Sequence, residues 1–204
     1  MKHLVIFAHP NTKNSFNKAI LERVLQASKK ANVETVVRDL YSMEFNPVIS
    51  WEELSGTFQG IIASEIKYEQ KLISEADLIT LVYPLWWMGY PAILKGYLER
   101  VLTAGFAYQS NENGTVGLLT GKQMQQFITL GNGVERYQKI GFAKSLDDTL
   151  VNGLFNYVGI NDIEHSFLGD IHIIDAQARH KMLDEVEAKI FEKLTALLGA
   201  KVNV

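Results

Sequence analysis

The chain is 204 residues long, 47% apolar and 21% charged, with a formal net charge of −3 and no cysteine. That length and balance describe one soluble domain over 1–204, with no Pro/Gly/Ser-rich linker to divide it and no basic stripe of the kind nucleic acid binding leaves. The missing cysteines exclude a disulfide, an iron–sulfur cluster, a thiol nucleophile and a cysteine zinc site, so any redox work falls to an organic cofactor.

The first apolar, β-branched run, Lys2–Ala8, reads as a strand. A polar loop follows, His9-Pro10-Asn11-Thr12-Lys13-Asn14, and opens into a helix over Ser15–Ala31, where Phe16, Ile20, Val24 and Ala27 recur at spacings of three and four. Ser15 reads first as an N-cap; the backbone N–H groups behind it form a phosphate site only if other groups join them. The loop has no glycine fingerprint, so it is neither a dinucleotide G-x-G-x-x-G nor a P-loop.

A second strand is expected over Val33–Asp39, then a long irregular stretch, Leu40–Lys67, with Pro47, Gly56 and Gly60. Segments of that length serve as lids or partner surfaces. A helix over Tyr68–Ala76 leads to a third strand, Leu78–Tyr83, whose unbroken apolarity fits burial on both faces. It closes on Pro84-Leu85-Trp86-Trp87-Met88-Gly89, then Tyr90 and Pro91 start a helix over Ala92–Leu102. A rigid aromatic loop between strand and helix is where an open α/β sheet holds a flat ligand, although core filling or a partner patch accounts for the same residues. In Tyr108–Gly121, Asn113-Gly114 suits a type I′ turn closing a short hairpin.

The fourth strand, Gln123–Leu130, runs into Thr129-Leu130-Gly131-Asn132-Gly133 with Tyr137 just beyond. Two glycines there let backbone amides approach a ligand, or form an ordinary turn. A helix over Leu146–Val158, a strand over Ile163–Leu168 and a helix over Ala178–Leu198 complete the chain. Strands alternating with helices predict an α/β fold, a parallel, doubly wound sheet with right-handed crossovers and helices on both faces. No charged-then-apolar leader opens the sequence and no apolar run reaches spanning length, so the cytoplasm is the expected compartment, without membrane insertion. His3, His165, His172 and His180 are scattered without metal spacing and no metal site is expected. Val186, Ile190, Leu194 and Leu197 form a helical stripe for core packing.

Several runs together resemble the NAD(P)H:quinone oxidoreductases of the flavodoxin-like superfamily, the DT-diaphorase group and its bacterial relatives. They are Ala8-His9-Pro10 with Ser15-Phe16-Asn17, Asp39-Leu40-Tyr41, Gln70, Tyr83 to Gly89, Pro91 to Gly96, Glu99-Arg100-Val101, Gly105 to Tyr108 and Thr129 to Tyr137. The resemblance implies a flavodoxin-like three-layer sandwich, with a five-stranded parallel sheet in the order 2-1-3-4-5, and a flavin-dependent enzyme that passes a hydride from NAD(P)H to quinones, nitroaromatics or azo compounds by a ping-pong mechanism. It implies that His9, Ser15, Phe16 and Asn17 hold the flavin phosphate, with Gln70 nearby. Pro84, Leu85, Trp86 and Trp87 would flank the ring, and Thr129, Leu130, Gly131, Asn132, Gly133 and Tyr137 would line its pyrimidine end. Trp87, Met88 and Tyr108 would meet the substrate, Tyr137 would be catalytic, and a homodimer with the site near its interface is implied.

Arg179, in a segment after the last strand, resembles the residue that pairs with an adenosine pyrophosphate; FAD is therefore expected, with FMN the alternative. The pattern departs at Ala143, where the family carries a histidine six residues after the tyrosine. Two other readings stand beside the enzyme: a regulatory flavoprotein subunit of a potassium-efflux antiporter, and a one-electron carrier of the flavodoxin type.

Overall fold

A computed structural model describes residues 1–202, with side chains through residue 200. In chain order its elements are β1 (Lys2–Phe7), α1 (Phe16–Lys30), β2 (Glu34–Asp39), α2 (Trp51–Thr57), α3 (Ser64–Glu75), β3 (Leu78–Pro84) and α4 (Ala92–Val101). The hairpin β4 (Tyr108–Asn111) and β5 (Gly114–Gly117) follows, then β6 (Gln123–Thr129), α5 (Val134–Lys139) and α6 (Phe142–Leu146). A π-helical segment (Asp147–Gly153), α7 (Leu154–Tyr157), β7 (Asp162–Leu168) and α8 (Ala176–Val202) complete it.

Five strands form one parallel sheet in the order β2-β1-β3-β6-β7, and the hairpin stands apart as a two-stranded ribbon. Removing the hairpin from the count leaves the expected 2-1-3-4-5 topology. Alternate strand residues point to opposite faces, so each strand feeds two cores. On one face Leu4, Ile6, Ile79, Leu81, Tyr83 and Ile128 meet Leu94 and Tyr97 of α4 and Phe155 of α7. On the other Val5, Phe7, Val82 and Phe127 meet Ile20 and Val24 of α1 and Ile190 and Leu194 of α8. Each such side chain, fully removed from water, stabilises the fold by about 1.5–3 kcal/mol.

Three elements differ from the sequence expectation. The stretch 40–67 contains a helix, α2, capped by Ser50, whose Oγ accepts from the Glu53 N–H at 3.1 Å. Trp51, Leu54 and Phe58 have helical spacing but stay exposed, so no core-facing stripe advertised it. The stretch is fastened to α4 from two sides. Gly96 lies so close to the Pro47 carbonyl that no side chain fits between them. Arg100 donates through Nε to both Glu53 oxygens (2.8 and 3.0 Å), through Nη1 to Asn46 O (2.8 Å) and through Nη2 to Glu65 (2.5 Å).

The expected helix over Leu146–Val158 is split among α6, the π-helical segment and α7. In that segment Asn152 Nδ2 donates to Asp147 Oδ1 at 3.0 Å, five residues back, and the Leu150 carbonyl accepts the Tyr90 hydroxyl. The hairpin forms, but Asn111 pairs with Gly114, so its turn residues are Glu112 and Asn113. Neither has positive φ; only Gly114 does, at 118°. The turn is therefore not the type I′ turn at Asn113-Gly114 that the sequence suggested, because the left-handed glycine falls one position after the loop.

Candidate functional site

Parallel strands deliver all their following loops to one edge, and the ends of β1, β3 and β6 are hydrogen-bonded there. Ala8 N–H donates to Val82 O at 3.0 Å, and Leu85 N–H donates to Thr129 O at 2.8 Å. The loop after β1 is folded by its own side chains: Asn11 Oδ1 accepts from the Lys13 and Asn14 N–H groups (3.3 and 2.9 Å), and His9 Nδ1 accepts from Asn11 N–H at 3.1 Å. Burial holds the His9 imidazole below its ordinary pKa, opposed by its backbone contact with Asn11, so it stays neutral near pH 7. Its ring lies 6.2 Å from that of Trp86.

Ser15 is extended (φ −83°, ψ 157°) and caps α1 by accepting the Lys18 N–H at 3.1 Å. The first N–H groups inside the helix, those of Phe16 and Asn17, have no carbonyl one turn earlier to bond. No acidic side chain occupies that first turn. The Asn17 side chain is 1% exposed. Its Oδ1 accepts the Thr129 hydroxyl at 2.8 Å, while its Nδ2 is buried with no partner. A buried donor left unpaired costs about 1–3 kcal/mol. An anion at the positive end of α1 would satisfy it.

The loop after β3 is a two-residue turn. Trp86 and Gly89 exchange both backbone hydrogen bonds, at 3.1 and 3.0 Å. Trp87 and Met88 between them both lie in the left-handed region, with φ of 49° and 59°. Two bulky residues there cost on the order of 1–2 kcal/mol each, where glycine or asparagine would be expected. The turn is held rigid from behind: Tyr90 packs on Tyr83 (ring centroids 5.1 Å) and donates to Leu150 O, while Tyr83 donates to Gln126 Oε1 at 2.9 Å. Burial pushes both phenol pKa values up, so both remain protonated donors. The result presents Trp87 entirely to solvent, at 103% relative exposure, with Trp86 and Met88 partly open beside it. Pro84 is buried at the end of β3 and Leu85 is half-buried.

The third loop, Leu130-Gly131-Asn132-Gly133, leaves β6 with Thr129 and Leu130 buried and Gly131 and Asn132 exposed. Tyr137 follows on α5, edge-on to Phe142 with centroids 6.3 Å apart. A fourth segment, after β7, joins it. Leu130 N–H donates to Leu168 O (2.8 Å), Asp170 N–H to Asn132 O (3.2 Å) and Ile171 N–H to Leu130 O (3.4 Å). Asp170 has a left-handed backbone (φ 56°), and its carboxylate lies over Gly133. His172 lies over Gly131. Sequence reasoning missed both. Their signal is weak, because no motif spacing marks them and only strand pairing brings them to the glycines.

Three of the expected residues are engaged by other groups of the chain. Gln70 Nε2 is committed to α4, donating to Val101 O and Thr103 Oγ1 (both 3.0 Å) at the opposite end of the sheet. Tyr108 packs on Tyr157 of α7 at 5.2 Å, beside the hairpin. Arg179 donates to Ile171 O and lies over the Phe16 ring at 5.4 Å, which uses part of its five-donor guanidinium but leaves it between α1 and the β7–α8 loop. Among the described residues no cluster of metal-ligating side chains occurs, and no helix is long and apolar enough to cross a membrane.

Residues 1–190 match the family model described as flavodoxin-like fold. The chain is 55% identical over 201 residues, 98% of its own length and all of the relative's, to a Haemophilus influenzae protein called an uncharacterized NAD(P)H oxidoreductase. It is 33% identical to rat NAD(P)H dehydrogenase [quinone] 1 over 89% of this chain and 73% of that one. The solved NAD(P)H:quinone oxidoreductase of Methanothermobacter marburgensis superposes with a TM-score of 0.82 at 28% identity, covering 94% of this chain and 98% of the other.

Proposed function

The chain belongs to the flavodoxin-like fold family, and from that premise we propose that it is a flavin-dependent NAD(P)H oxidoreductase that reduces quinones, and nitroaromatic or azo compounds, by two electrons in a ping-pong cycle. The buried, unpartnered Asn17 Nδ2 at the positive end of α1 carries this reading. It needs an acceptor, which a phosphate oxygen supplies, and Trp86 and Trp87 at the same edge offer a surface for a planar ring. These residues fit a flavin phosphate and ring together.

A bound flavin supplies the two-electron store between nicotinamide and acceptor. The chain's own residues do the rest. Ser15, Asn17 and the first N–H groups of α1 hold the phosphate, with His9 neutral beside them. Trp86 and the rigid Trp87–Met88 turn fix the plane in which donor and acceptor stack in succession. Backbone amides of Gly131 to Gly133 would line the ring of a bound flavin, and preorganised dipoles there would stabilise the negative charge that reduction adds to it. Tyr137 is the hydroxyl donor on that side. FAD is the preferred cofactor, with Arg179 pairing to its pyrophosphate through the donors that Ile171 leaves over; FMN would need no such pairing.

Homodimerisation belongs to the same proposal. Val48, Trp51, Phe58 and Ile61 expose large apolar side chains on one short segment, with Trp51 at 74% and Phe58 at 73%. Surfaces of that kind mark interfaces. Sedimentation equilibrium should return twice the chain mass, and a monomer would remove the dimer from the proposal.

The deciding experiment is a visible spectrum of the purified protein followed by anaerobic NADH or NADPH. A yellow protein that bleaches directly and recovers its colour with a benzoquinone supports the enzyme. A stable semiquinone would favour the one-electron carrier. A yellow protein that neither nucleotide bleaches would leave the antiporter-subunit reading, and a colourless protein that takes up neither flavin would refute all three.

A further inference from the structure

Reducing a quinone to a hydroquinone takes a hydride and one further proton: NAD(P)H + H⁺ + quinone gives NAD(P)⁺ + hydroquinone. The site described so far holds Tyr137 but no histidine on α5 or α6, where Ala143 stands. The chain has five histidines. His3 is enclosed between Ser28 and Thr80, at 2.9 and 2.8 Å. His9 is tied to the phosphate loop through Asn11. His165 sits on β7, 3.6 Å from Asp147, and His180 bonds the Ala176 carbonyl within α8.

His172 is the one set against the glycine loop. A Cβ placed on Gly131 would lie 3.7 Å from its Cδ2 and 3.8 Å from its Nε2, so the Nε2 edge of the imidazole is turned toward that glycine. The position is built. The backbone bonds of Asp170 to Asn132 and Ile171 to Leu130 extend the β6–β7 pairing past the strand ends. The Arg179 guanidinium holds the Ile171 carbonyl, and the Ile173 and Ile174 N–H groups both turn back to Asp170 O, at 2.9 and 3.1 Å. Asp170 is held in a left-handed conformation by this turn, which places its carboxylate over Gly133 and the imidazole over Gly131. The imidazole is exposed, so water can reprotonate it.

We propose that His172, from the loop after β7, is the proton-donating side chain of this site: Nε2 gives its proton to the acceptor oxygen as the hydride arrives, and recovers it from water. This rests on the oxidoreductase reading above. It assigns to a residue on a different loop the imidazole that α6 lacks.

The test uses the full chain and the His172→Ala and His172→Gln variants. Histidine Cε1–H resonances are few enough to resolve, and the line missing in His172→Ala identifies the residue. Adding FMN or FAD should move that line while leaving the His180 line in place. A His172 line unmoved at saturating flavin overturns the proposal without any turnover measurement. In stopped flow, reoxidation of the pre-reduced protein by a benzoquinone should slow by about 100-fold in both variants. Free imidazole should restore part of the rate to His172→Ala, while flavin affinity stays within a few-fold of wild type. Unchanged reoxidation, or a loss that glutamine repairs, overturns it, since glutamine replaces shape and hydrogen bonding but carries no proton. A wild-type protein that binds flavin but is not reduced by NAD(P)H would refute the parent reading, and the resonance shift would still judge the placement of His172. One that takes up no flavin would bring both down.

Discussion

The two ends of the central sheet are finished differently. At the end where the strands begin, polar groups are paired: Lys2 N–H with Asp77 Oδ2 at 2.8 Å, Lys122 Nζ with the Ser74 and Ala76 carbonyls, Gln70 with the end of α4, and His3 with Ser28 and Thr80. At the end where the strands finish, Asn17 Nδ2 lacks a partner, four non-glycine residues (Glu44, Trp87, Met88 and Asp170) hold left-handed backbones against one, Asn32, at the other end, and an indole stands in water. Among the described residues the other buried side-chain atom without a partner is Gln125 Oε1, inside β6 and away from that edge. Local cost accumulates where something else is to be bound.

The sharpest way to break the contrast is to damage the satisfied end. Arg100→Met removes a guanidinium that is 5% exposed and leaves Glu53 unpaired. A loss of about 3–5 kcal/mol is expected. Thermal unfolding should show it, at roughly 2–4 °C per kcal/mol for a chain of this size. Unbound Trp86 and Trp87 should keep their emission until the main transition.

Acid acts next. Burial holds the His3 pKa down at about 3, against 6.5 for an ordinary histidine. The unfolded chain therefore binds a proton that the folded chain refuses. The stability due to neutral His3 is complete above pH 6.5, falls as the pH drops below it, and is gone near pH 3. Urea titrations over that window should show wild type losing a few kcal/mol more than His3→Gln, a slope of up to about 1.4 kcal/mol per pH unit.

At the unfinished end the effects on folding invert. Asn17→Ala deletes an unpaired donor along with the bond to Thr129, so chemical denaturation should register a change under about 1 kcal/mol. Flavin affinity, read by fluorescence quenching, should nonetheless fall by roughly 10-fold, or about 1.4 kcal/mol. Equal losses in both measurements would erase the distinction between the ends. The smallest effect is Met88→Gly, which relieves one left-handed residue and should stabilise the flavin-free protein by about 0.5–1 kcal/mol while weakening flavin binding. A destabilised variant would show that the turn carries no strain.

How much of this was legible in the sequence follows from which physics each part used. The sheet and its order were legible, because strands such as Leu78–Pro84 are apolar throughout and burial on both faces leaves that imprint. The cap at Ser15 and the glycines after β6 were legible for the same kind of local reason. The Trp87–Met88 turn was not: nothing in two bulky residues announces a left-handed pair, and only bonding between Trp86 and Gly89 makes it so. Gln70 read as a site residue, and the structure shows its side-chain amide tied to α4, a direction that sequence does not give a polar residue. His172 read as one of several scattered imidazoles, because only strand pairing beyond β6 and β7 lays it on Gly131.

The π-helical segment sets how many residues the chain spends between two anchored points. Its widened turn seats Asn152 over Asp147, a separation of five that an α-helix would place on different sides. Such a bulge fits one residue more than an α-helix needs between the same two fixed ends. Here the ends are fixed by Phe155 in the core and by Leu146 on the preceding turn. Shortening the segment by one residue should restore an α-helix between unmoved neighbours, with Leu150 turned away from Tyr90, so the aromatic turn would keep its shape but lose the brace behind it.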